Sequence, residues 1–186
     1  MTTFRPLALA ATLSLLGASS AQAQTATATP AEAFLYAVQQ VCAKNAMGDL
    51  PLNPPSAALT AAHVDLVDGG SDPDTRGAFH DMPATIDYGA VASASGQIII
   101  GADEAGSCRV AAVNVAAADV TAITAALRAA GGDWNEIAAD AAAGSATFSG
   151  TIGPESAMIE IVTPPAGSHW GKAGIMATVM NPAAGS

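Results

Sequence analysis

Apolar residues recur at helical spacing in two places along the chain. Phe34, Val38, Val41 and Cys42 stand at i, i+4, i+7 and i+8, which puts them on one face of a helix. Thr29-Pro30-Ala31-Glu32 precedes them as a capping box with proline at the first helical position. Gly48 and the three prolines at 51, 54 and 55 end that helix, and a short helix is read over residues 56–62. The second stripe, Val120, Ile123 and Leu127, predicts a helix over 118–130, with Asp119 near its start and Gly131-Gly132 closing it.

Between the helices the period changes. Residues 63–83 are polar and turn-rich, and are read as a long exposed loop. Strand-like segments follow at 85–92, 97–102 and 107–115, separated by short turn sequences. In the third, Cys108, Val110 and Ala112 share one face by alternation, so the first helix is expected to pack there and bring Cys42 beside Cys108. After the second helix come a short helical stretch at 134–142, with Trp134 read as a core plug, and strands at 145–152, 157–163 and 174–180. Ile159 and Ile161 alternate with Met158, Glu160 and Val162, and a strand apolar on both faces belongs in a sheet interior. The expected architecture is therefore a single α+β domain over 31–186, with an antiparallel sheet of about six strands and two main helices in the order α-β-β-β-α-β-β-β. A duplicated α-β-β-β unit fits the same order, although no residue-level repeat at a fixed period supports it.

The first 23 residues are set apart from this pattern. Arg5 precedes an apolar run through Leu16 that is too short to span a bilayer, and Ala21-Gln22-Ala23 has the small residues of a cleavage site. Residues 1–23 are read as a signal peptide and 24–30 as a flexible tether. No cysteine follows the cleavage point to carry a lipid, so no membrane anchor is expected after cleavage. The expected address is the bacterial periplasm or exterior. Both cysteines, Cys42 and Cys108, lie beyond the leader; in an oxidising compartment such a pair most simply forms one structural disulfide, and no C-x-x-C is present.

Composition narrows the partners. The 186 residues are 51% hydrophobic and 12% charged, the profile of a folded chain. Without Arg5, five basic residues face sixteen acidic ones, a net charge of −11. Lys44, Arg76, Arg109, Arg128 and Lys172 are scattered, which argues against nucleic acid as a partner, because phosphate binding needs clustered cations. The charge either favours encounter with a cationic protein partner or simply keeps an Ala-rich chain soluble.

The densest polar group is Asp65, Asp68, Asp72 and Asp74, flanked by His63, His80 and Asp81. Oxygen-rich loops of this kind can hold Ca²⁺, the one cofactor considered, but the EF-hand register fails: Arg76 stands at a ligand position and Pro83 at the twelfth. His80 and Asp81 are a candidate acid–base pair. His169 and Trp170 form a candidate binding loop, with the Trp170 indole otherwise a lid over the sheet. G-x-S-x-G, S-x-x-K, Walker-type and dinucleotide-binding signatures are absent, so no catalytic residue is assigned.

The leader, the helix with Phe34 and Cys42, the Cys108-Arg109-Val110 strand and the helix ending at Gly131 together resemble small uncharacterised secreted proteins of bacteria. The resemblance spans residues 31–132 and implies a structural disulfide, but no activity. The expected role is an exported, non-catalytic binding or accessory protein of the cell envelope. Two alternatives are an inhibitor whose acidic loop engages a cationic hydrolase, and a hydrolase using His80 and Asp81.

Overall fold

The structure is a computed structural model that describes residues 28–130, 134–140, 144–152, 155–165 and 168–181. The leader at 1–23, most of the tether and the Gly131-Gly132 stop lie outside the described residues, as does the Trp134 side chain.

Helix α1 (Pro30–Tyr36) begins with the expected capping box: Thr29 Oγ1 accepts from the Glu32 amide at 3.3 Å, and Glu32 Oε2 accepts from the Thr29 amide at 2.9 Å. The Thr29 amide and hydroxyl, both donating to Glu32 Oε2, hold the Glu32 carboxyl below its ordinary pKa. The helix runs directly into a π-helical stretch, Ala37–Cys42, and a last α-turn, α2 (Ala43–Ala46). Phe34, Val38, Val41 and Cys42 are all fully buried. Helices α3 (Ala57–Ala61) and α4 (Pro73–Ala78) are short, and α5 (Ala117–Ala129) buries Ile123 and Leu127.

The eight strands among the described residues lie in one antiparallel sheet of order β1-β2-β3-β4-β8-β7-β6-β5. They are β1 (Val64–Leu66), β2 (Asp87–Val91), β3 (Gln97–Ala102), β4 (Ser107–Val113), β5 (Trp134–Asp140), β6 (Ser145–Ile152), β7 (Glu155–Val162) and β8 (Ala173–Met180). The α+β class stands, while the expectation of about six strands in the order α-β-β-β-α-β-β-β is corrected to eight. One extra strand, β1, lies in the segment read as a loop. The other, β5, replaces the short helix read at 134–142: Glu136, Ala138 and Ala139 favour a helix, but the segment is held extended by pairing with β6, with a register shift between Glu136 and Ala138. Each half of the chain thus opens with helix and supplies four consecutive strands, with α4 interposed between β1 and β2 in the first half. The last strands of the two halves, β4 and β8, pair antiparallel at the centre, with Val110 opposite Ala177. As expected for a strand apolar on both faces, β7 is interior, between β6 and β8.

The sheet has two unequal cores. On one face Ile98, Ile100, Val110, Ile175, Val179 and Ile159 pack against α1, its π stretch and α5. Burying such side chains contributes about 1.5–3 kcal/mol each. Cys42 and Cys108 join as a disulfide in this layer, with Cα atoms 5.2 Å apart. On the opposite face Ile99, Ala111, Val113 and Met176 meet Ala78, Phe79 and Ile86, supplied by α4 and the segment after it. The 63–83 segment is therefore no simple exposed loop: it provides the cover of this second core. Gly101 makes the cover fit, since a Cβ there would lie 2.6 Å from the Phe79 ring.

Candidate functional site

The site grows out of Arg109, whose position on β4 points it to the second face. Cross-strand neighbours of Arg109 are Gly101 on β3 and Thr178 on β8. Arg109 is only 9% exposed, so its donors need partners inside the protein. They have them. Nε donates to Thr178 Oγ1 at 2.9 Å, Nη1 to the Ala78 carbonyl at 3.3 Å and to Asp81 Oδ1, and Nη2 to Asp81 Oδ2 at 3.1 Å. The Asp81 contact is a two-pronged guanidinium–carboxylate pair. Burial pushes the Asp81 carboxyl up, but the hydrogen bonds and charge of Arg109 outweigh it, and the group ends below its ordinary pKa.

Trp170 lies over this pair, with its ring centroid 5.5 Å from Arg109 Cζ. His80 meets Trp170 edge-on at 4.3 Å, His169 stacks on it at 5.0 Å, and the two imidazoles are themselves 4.3 Å apart at 77°. His80, at the end of α4, and His169, in the turn before β8, thus come together from distant parts of the chain. Gly77 and Gly171 hold these segments in register: they touch backbone to backbone, and Gly171 takes φ +64. Lys172 adds an ion pair to Asp74 at 2.9 Å.

His80 and Asp81, adjacent in sequence and the candidate acid–base pair, stand within ion-pair distance but too far apart for a hydrogen bond. His80 Nδ1 is 3.9 Å from Asp81 Oδ1 and 3.2 Å from the Gly77 carbonyl, which can only accept. The Nδ1 proton therefore goes to Gly77, and the Asp81 carboxylate goes to Arg109.

The acidic residues are dispersed over separate tasks. Asp72 caps α4, accepting from the Thr75 hydroxyl at 2.7 Å and the Thr75 amide at 2.8 Å, and these bonds hold its carboxyl below the ordinary value. Asp74 pairs with Lys172, whose pKa is raised by that contact. Asp65, on β1, and Asp68, in the loop after it, are exposed, and Asp68 and Asp72 border a groove of about 320 Å³ floored by Val91, Ile98 and Ile99. Among the described residues no three His, Cys, Asp or Glu side chains converge where a metal ion could sit. His63 stands apart on the turn into β1.

Sequence reasoning isolated His80, Asp81, His169 and Trp170 but not Arg109 and Thr178, which join Asp81 and Trp170 to the sheet. One signal was present: a lone Arg inside the apolar run Cys108–Val113 needs a buried partner. No protein-family model, curated protein or solved structure matches this chain. Among the described residues no helix is long and apolar enough to cross a membrane.

Proposed function

We propose that the chain is an exported, non-catalytic binding or accessory protein of the bacterial cell envelope, and that its ligand-facing patch is formed by His80, His169 and Trp170. One observation carries this reading. Both carboxylate oxygens of Asp81 are bonded to Arg109, while two exposed imidazoles and the half-buried Trp170 indole stand together on a closely packed backbone support. The disulfide is compatible with an oxidising compartment, which supports the exported address.

The test is capture from cell-envelope extract with the wild-type protein and with Trp170→Ala, alongside fractionation and N-terminal sequencing of the protein from its host. A species held by the wild type and lost with the variant, and an N-terminus at Gln24, are the expected results. Identical capture by both proteins, or a cytoplasmic chain retaining its leader, would overturn the reading.

A second reading, an inhibitor of a cationic hydrolase, draws on exposed Asp65 and on exposed Asp68 and Asp72, which border the groove. It predicts a partner released by high salt and insensitive to Trp170→Ala.

A further inference from the structure

We infer that His80 and His169 form a two-nitrogen coordination site for a borderline transition-metal cation, with Cu(II) the ion that matches the donor set best. The inference rests on the reading of this face as the ligand-binding one and gives it a ligand class.

Four features of the site support it. The ring centroids of the two imidazoles lie 4.3 Å apart at 77°, about the centroid separation that two adjacent imidazole ligands of one ion have with metal–nitrogen bonds of ~2 Å. The hydrogen bond from His80 Nδ1 to the Gly77 carbonyl at 3.2 Å fixes the tautomer and leaves Nε2 with its lone pair, the arrangement by which proteins orient metal-binding histidines. Both rings stand on segments locked together by the Gly77–Gly171 contact and the Lys172–Asp74 pair, so little chain ordering is left for the ion to drive. Finally, the guanidinium of Arg109 is neutralised by Asp81 and lies against Trp170, and the chain carries a net charge of −10 that draws cations in.

The donor set selects the ion. Two imidazoles with no third converging His, Cys, Asp or Glu among the described residues exclude a closed tetrahedral zinc centre. Ca²⁺ and Mg²⁺ demand oxygen donors and gain little from nitrogen. Cu(II) accepts a tetragonal shell of nitrogen and water, and it stands at the top of the affinity order for nitrogen sites, so solvent completes its coordination here.

The experiment is titration of the untagged protein with Cu(II) in a non-coordinating buffer, followed by tryptophan fluorescence and calorimetry. One equivalent should bind with saturation at micromolar concentration, quench Trp170 because that ring touches both ligands, and give an electron paramagnetic resonance signal split by nitrogen. His80→Asn and His169→Asn, both at exposed positions, should each weaken binding at least about tenfold, whereas His63→Asn should leave it unchanged. Failure of the wild type to saturate below about 100 µM, or wild-type affinity in both histidine variants, would overturn the assignment. A capture result that still depends on Trp170 when copper does not bind would remove the metal and spare the binding reading. Copper binding by a protein found in the cytoplasm would do the reverse.

Discussion

Gly77 and Gly171 pack so closely that a Cβ added to Gly77 would lie 2.7 Å from the Gly171 amide nitrogen and 2.8 Å from its Cα. The neighbour is backbone, so it cannot swing aside. Gly77→Ala gains up to about 1 kcal/mol of helix propensity in α4 but pays an overpacking penalty of about 1–3 kcal/mol. A net loss of up to about 2 kcal/mol is expected if the full propensity gain is realised, together with a shift in Trp170 emission as the turn carrying it is pushed away. Urea denaturation followed by fluorescence reads both, and a stabilised variant with unchanged emission would contradict the contact.

The Arg109–Asp81 pair should be energetically lopsided. Asp81 is 43% exposed at its side chain and regains water when its partner is removed, whereas the Arg109 side chain is 11% exposed and regains less. Asp81→Ala is therefore expected to cost about 3 kcal/mol, and Arg109→Met roughly 1 kcal/mol. Equal losses in chemical denaturation would show that the guanidinium finds other acceptors.

Acid sensitivity follows from the same group and from the Asp72 cap. Both carboxyls have pKa values lowered in the folded chain, so the stability they contribute is present above their ordinary value of 3.8 and is lost as pH falls through the lower folded value. The melting temperature should fall on acidification below about pH 4, and Asp72→Asn with Asp81→Asn should flatten that fall. An unchanged slope in the double variant would assign acid sensitivity to other carboxylates.

The Cys42–Cys108 bond closes a loop with a sequence separation of 66. On a chain-entropy account the closure stabilises the fold by roughly 4 kcal/mol, and Cys42→Ala with Cys108→Ala should lower stability by that order. Reducing agent should reproduce the loss in the wild type and leave the double variant unaffected.

The legible parts of this fold are those in which local chemistry and burial agree. Thr29, Pro30 and Glu32 announce a helix start, the stripe from Phe34 to Cys42 announces its buried face, and alternation around Cys108 locates the disulfide partner. Strand β5 was hidden because Asn135-Glu136-Ile137-Ala138-Ala139 lacks a two-residue alternation and Glu136, Ala138 and Ala139 favour a helix, whereas pairing with β6 holds it extended. Likewise α4 and β1 each carry too few residues for a period to show, and the burial of Ala78 and Phe79 depends on the sheet beneath them. In the site, each ring was visible by residue type. What brings His80 to His169 and Asp81 to Arg109 is strand order, which no local pattern encodes.

Because β4 pairs with β8, the first half of the chain cannot cover its own inner edge. While residues 114–172 are being synthesised, β4 offers a free row of backbone donors and acceptors flanked by buried-type side chains on both faces. A nascent chain in that condition is prone to pair with its neighbours, so the protein is best released to fold only when β8 is complete. A holding chaperone during synthesis, or threading through a membrane pore before folding, would each meet that need.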